Sequence, residues 1–226
     1  MGVPNSLAAT LDAINEAYFY DHSPSKIQVK EAAEWIASRQ AKTGRYTGCF
    51  MPTDGDYGEG VGVLLFTGEK LQTRLATRNI LTAEAARALV LLDGSSAEAQ
   101  DMLVRTNRWL FEQCFSRSCT IGECAHSTVG LMRYLAVARL DDVERRLAAH
   151  VAVLSEHRDG KGRWARFPFY YTLLALTEIA LPSAVDELRY AVPACRRVLE
   201  RSSQDDRFSQ RRRDILRRAL AKCQLI

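Results

Sequence analysis

Glycine and proline are scarce in this 226-residue chain, 13 and 6 respectively. That scarcity argues against a β-sandwich or barrel built on many tight turns. No uninterrupted apolar run approaches the roughly 18 residues of a membrane span, so none is predicted. The segment Met1–Ser6 has neither the basic stretch nor the apolar core of an export signal, and a cytoplasmic location is the expectation. Gly2 and Ser6 fit the short myristoylation pattern, which chance supplies often. Lysine is rare, 6 against 25 arginines, and the acids nearly balance them to a formal net charge of +4. So small an excess predicts no nucleic-acid partner. The Gly-Lys-Ser/Thr ending of a phosphate loop is missing from the acidic stretch Asp54-Gly55-Asp56-Tyr57-Gly58-Glu59-Gly60-Val61-Gly62. The twelve-residue calcium-loop spacing is missing from it as well.

What the chain has in quantity is helical periodicity. Leu7, Leu11, Ile14 and Tyr18 fall on one face of a first helix, and Ser23 to Ser25 caps a second that runs to about Arg39. Residues 44–72 break the pattern with seven glycines and Pro52, and read as an insertion that forms a lid or interaction loop. Helix resumes at Thr82 and stops at Asp93-Gly94. Ser95 with Glu98 makes a capping-box signature for the next, to about Phe115. Further helices follow Ser127, surround Leu147–Leu154, and span Phe169–Ile179. Another opens at Pro182-Ser183, with a kink or division expected at Pro193. The last covers about Asp206 to Gln224; its Arg207, Arg211, Arg212, Arg213, Arg217, Arg218 and Lys222 read as a solvated face. The prediction is an all-α chain of about nine helices forming one domain over 1–226.

One local pattern repeats. Gln40-x-x-x-Gly44-x-Tyr46 follows one helix, and His157 with Gly162-Arg163-Trp164 follows another. A degenerate copy runs from Trp109-Leu110-Phe111-Glu112-Gln113 through Cys119 to Ser127. Each copy ends a helix, turns, shows an aromatic and feeds a more apolar helix. These residues resemble the α/α-toroid superfamily of protein prenyltransferases and squalene or terpene cyclases, over roughly residues 26–200. The resemblance implies antiparallel hairpin repeats with outer and inner helices, here a partial toroid because complete rings use about twelve helices. It also implies that aromatics line an apolar cavity; the candidates are Tyr46, Tyr134, Trp164, Phe167 and Tyr171. Arg74, Arg78 and Arg166 are candidate anion anchors. The acidic Asp-x-Asp-Asp of the cyclases is absent, and the enzyme question stays open.

The densest chemistry is Cys114-x4-Cys119-x4-Cys124-x-His126. Thiolates with imidazole suit zinc, which makes zinc the candidate cofactor, with free packed thiols or a reversible disulfide as alternatives. Three functions are therefore carried forward. One is a toroid-like protein that binds an apolar small molecule or a protein partner in its concave face. Another is a zinc-dependent enzyme using the Cys114–His126 region. The third is a non-catalytic, dimeric interaction module.

Overall fold

A computed structural model describes residues 5–60, 62–93, 96–201 and 206–224. Among these the chain is all-α, with nine α-helices: α1 (Leu7–Phe19), α2 (Lys26–Ser38), α3 (Arg74–Asp93), α4 (Ala97–Glu112), α5 (Cys124–Leu135), α6 (Val143–Glu156), α7 (Phe169–Glu178), α8 (Pro182–Arg201) and α9 (Arg207–Gln224). Extended pairing among the described residues is limited to isolated bridges. Ser6 caps α1 by accepting from the Ala9 N–H at 3.0 Å, and Ser25 with Gln28 forms a full capping box on α2. Ser96, not Ser95, caps α4; Ser95, Val61 and the myristoylation pattern's Gly2 lie outside the described residues. Helix α3 starts at Arg74, eight residues before the expected Thr82, because its first two turns bury Thr77 and Asn79 where an apolar stripe would have been legible. Pro193 divides nothing: α8 runs through it. On α1 the buried aromatic is Phe19, whereas Tyr18 is part exposed and donates to the Leu91 carbonyl.

The odd-numbered helices form an inner set. Helix α3 packs on α1 and α5, α5 on α7, and α7 on α9. Helices α9 and α1 are joined through side chains. Arg211 of α9 pairs with Asp12 at 2.8 Å and Glu16 at 3.2 Å, and Arg218 donates to the Phe19 carbonyl. Close approach within the set is a matter of size. Ala83, Ala85, Ala86 and Ala88 of α3 are buried, and a Cβ on Gly130 of α5 would lie 3.3 Å from the Tyr171 hydroxyl. The even-numbered helices lie outside them, each against the inner helix before or after it in the chain.

Each repeat turn is fastened to the next outer helix. After α2, the Gln40 amide donates to the Met102 carbonyl at 2.9 Å and the Thr106 hydroxyl at 2.8 Å, both on α4. After α4, Ser118 and Thr120 meet His150 and His157 of α6 and its C-cap. After α6, Trp164 and Arg158 both reach Glu187 of α8. The first and third turns also close with equivalent bridges, Gln40 with Phe50 and Arg158 with Trp164.

Much of the 44–72 segment is wound into this frame rather than standing off as a lid. Val63, Leu65, Phe66 and Leu71 are buried, and Arg211 lies over the Phe66 ring at 4.2 Å. Two of its acids cap inner helices, where the N-terminal N–H groups and the helix dipole favour negative charge. Asp56 accepts from the Leu7 and Ala8 N–H groups of α1, and Glu69 from those of Tyr170 and Tyr171 in α7. Glu123, from the α4–α5 turn, does the same for Gln72 and Thr73 before α3. The arginines of α9 are likewise only partly solvated. Arg211 is buried, Arg212 donates to the Thr67 carbonyl, and Lys222 holds the last carbonyls of α7.

Candidate metal centre and neighbouring sites

Inside the inner helices the core is ionic. Arg133 of α5 is fully buried and donates to Glu84 at 2.5 Å, to Glu178 at 2.9 Å from both Nε and Nη2, and to Asn15 at 3.1 Å. Arg87 joins Asn15 to Glu178, and the Tyr171 hydroxyl donates to Glu84. Burial opposes ionisation of Glu84 more than any other single effect. Arg133 and Arg87, with Tyr171 and Asn15, nevertheless hold its carboxyl below the ordinary glutamate value. Beside this network lies a cavity of about 20 Å³, lined by Asn15, Glu84, Arg133, Tyr171 and apolar neighbours. That is room for a single water.

The aromatic candidates are distributed through this core. Tyr171 serves the network, Tyr134 donates to Asn107 at 2.6 Å, and Trp164 donates to Glu187 at 2.7 Å. Phe167 is buried against His157, and Tyr46 is half-buried in the first turn between Arg45 and Arg78. Of the anion candidates, Arg74 and Arg78 come together one helical turn apart on α3. Arg166 stands exposed in the turn before α7, at a left-handed φ of 73°.

The cysteine run converges. Cys114 opens a short 3₁₀ turn (Cys114–Arg117), Ser118 reverses the chain in the left-handed region at φ 63°, and Cys124 begins α5. The Cys119 N–H returns to the Cys114 carbonyl, while Thr128 of α5 donates to the Phe115 and Cys119 carbonyls and ties the turn to the helix. All three Sγ atoms therefore lie within 4.8 Å of one another, and the Cys114 and Cys124 sulfurs are 3.6 Å apart. Ligands at the usual Zn–S length of about 2.3 Å sit about 3.8 Å apart in a tetrahedron. Small side-chain rotations would bring the triad onto a metal.

His126 is not part of this group. Two residues along a helix is a rotation of about 200°, which turns it away from Cys124. Its Nδ1 is instead buried without a hydrogen-bond partner among the described residues, and burial lowers its pKa. The thiols themselves are differentiated. A backbone hydrogen bond from Ile121, helped by the neighbouring thiols, lowers the Cys119 pKa against the effect of burial. Burial, followed by those neighbours, pushes Cys124 up to about 12. Cys114 is exposed, so the cluster opens to the surface.

A second concavity lies where outer helices α2 and α4 stand apart over the end of α3. This groove of about 660 Å³ has a floor of Ala33, Ala37, Leu89, Leu92, Ala99 and Met102. Lys26, Lys30, Glu34, Lys42, Glu98 and Arg105 are among its charged rim. Among the described residues, no helix is long and apolar enough to cross a membrane. Comparison with protein-family models, curated proteins and solved structures finds no match to this chain.

Proposed function

We propose that this chain is a helical-hairpin repeat protein of the α/α-toroid kind that binds zinc through Cys114, Cys119 and Cys124. The observation that carries the reading is the convergence of three thiols, drawn from one turn and one helix start, within 4.8 Å. Thiolates are soft, charged donors and select zinc over the hard cations that prefer oxygen. With three protein ligands, the fourth position is left to water or an external ligand, as in zinc sites that act on a bound molecule. Binding displaces thiol protons and therefore strengthens as pH rises through the thiol range. The toroid kinship is supported by the alternation of inner and outer helices and by turns each fastened to the next outer helix.

The test is titration of reduced, metal-free protein with cobalt(II), then zinc(II). One equivalent should produce a thiolate-to-cobalt charge-transfer band that zinc abolishes. Cys119→Ser and Cys124→Ser should lose it while keeping the helical circular-dichroism spectrum. A featureless titration of protein whose six thiols are all counted as reduced after denaturation, or an undiminished band in both variants, would overturn the assignment.

A second reading, binding of a protein partner, is favoured by the groove between α2 and α4, whose alanines leave space between charged rims. Met102→Trp would fill that floor. If this reading holds, the variant should fail to retain a partner that the wild type carries through purification.

A further inference from the structure

Most arginines in the interior of this protein are consumed by an acid. Arg87 and Arg133 meet Glu178, and Arg211 meets Asp12. Three arginines at the edge of the first repeat turn, Arg45 and Arg74 exposed and Arg78 half-buried, are placed differently. Arg45, Arg74 and Arg78 have neither a carboxylate within 4.0 Å nor a hydrogen-bond acceptor among the described residues. They are nevertheless gathered. The guanidinium carbons of Arg45 and Arg78 lie 5.0 and 4.4 Å from the centre of the Tyr46 ring. That of Arg74 lies 5.0 Å from the Tyr57 ring, and both Arg74 and Arg78 act electrostatically on the Tyr57 phenol. Arg74 and Arg78 are separated by four residues on α3, which stacks them on one face.

Like charges brought together repel, and stacking on tyrosine offsets only part of that cost. Asp56, whose carboxylate acts on the same Tyr57 phenol, is taken by Ser6, Thr53 and the first N–H groups of α1. The guanidinium carbons sit over the ring faces, and no acceptor among the described residues occupies their N–H groups. One donor, the Arg78 Nε, is already buried and has no acceptor among the described residues. A desolvated cationic donor of this kind is a group whose partner is a ligand or solvent. Just before α3 the Gln72 and Thr73 N–H groups are taken by Glu123, and within its first turn that of Ala76 is taken by the Thr73 hydroxyl.

We propose that Arg45, Arg74 and Arg78, with Tyr46 and Tyr57 as their floor, form a binding site for a phosphate-bearing ligand. Three positive charges call for more than the single charge of a carboxylate. The planar guanidinium fork matches two oxygens of a tetrahedral phosphate. The site is separate from the thiolate triad and needs no metal. Arg166 takes no part in it.

Calorimetric titrations with inorganic phosphate, phenyl phosphate and succinate, at constant ionic strength, test the proposal. Saturable binding of both phosphates and weaker binding of succinate are expected. Arg45→Gln and Arg74→Gln alter exposed side chains and should each weaken phosphate binding by at least ~3-fold, with thermal unfolding unchanged in the absence of ligand. Arg78→Gln should weaken it by at least ~10-fold, and Arg166→Gln should bind as the wild type does. A stronger response to succinate than to phosphate would overturn the ligand class. Heats no different from chloride, or phosphate affinity unchanged in both Arg45→Gln and Arg74→Gln, would overturn the site.

Discussion

Replacing Arg133 with methionine removes the cation on which the inner helices converge. The side chain is buried and makes four hydrogen bonds, to Glu84, twice to Glu178, and to Asn15. Glu178 keeps Arg87 at 2.9 Å and retains some solvent contact, so it suffers little. Glu84 is different. It is buried and would keep only Tyr171 and the Asn15 amide as hydrogen-bond partners. Removing one member of a buried ion pair costs about 3–5 kcal/mol, because the other charge is left uncompensated. In a chain of this length that corresponds to a fall in Tm of about 10 °C, a large share of a typical total stability of about 5–15 kcal/mol.

Urea unfolding followed by circular dichroism measures the loss directly, provided the slope m is unchanged. Glu84→Gln combined with Arg133→Met should recover part of the loss, since the stranded charge is gone. A loss below ~1 kcal/mol for Arg133→Met alone would refute the idea that this network organises the core. The same network has an acid limit. The Glu84 carboxyl is held below its ordinary value of 4.5, so its stabilising contribution is complete above that value and is lost as pH falls through the lower folded value.

Two further outcomes follow from the geometry. A Cβ at Gly48, whose φ is 89°, would come within 2.3 Å of the Arg105 carbonyl oxygen, whereas one at Gly44, φ 78°, meets nothing within 4 Å. Gly44→Ala should therefore cost about 1 kcal/mol of backbone strain and Gly48→Ala clearly more, as thermal unfolding of the two variants would reveal. His150 is pushed down to about 4 by burial, with Arg146 adding to the effect, so the folded state holds it neutral. Its unfolded form gains a proton below about 6.5, so stability declines from there and levels off once pH passes the folded value. Between pH 7 and pH 5 the loss should be about 1–2 kcal/mol, and His150→Gln should flatten that part of the pH profile.

The apolar spacing of Leu7, Leu11 and Ile14, the N-cap serine before α2, and Pro182 at a helix start are local signals, since each depends on residues within a turn or two. They sufficed for the all-α class and for most helix limits. The repeat was legible for the same reason: Gln40, Gly44 and Tyr46 form one turn and recur in kind before α7. Helix α3 was half missed because Thr77 and Asn79 are polar residues in buried positions, and periodicity reads polarity as exposure.

The core network was missed altogether. Glu84, Arg87, Arg133 and Glu178 look like solvated residues until three helices bring them within hydrogen-bond reach. Burial of a charge is decided by its distant partners, so no window of sequence carries it. The same holds for α9, whose arginines looked like a solvent face and instead bind Asp12, Thr67 and Phe19 from segments some 145 to 199 residues away. The acids Asp56 and Glu69 belong to a glycine-rich stretch that suggested a lid, yet the helix ends they cap are assembled only by folding. For the thiols the division falls within one motif. The spacing of Cys114, Cys119 and Cys124 named the candidate thiols, but the left-handed turn at Ser118 and the start of α5 at Cys124 gather those sulfurs and turn His126 away.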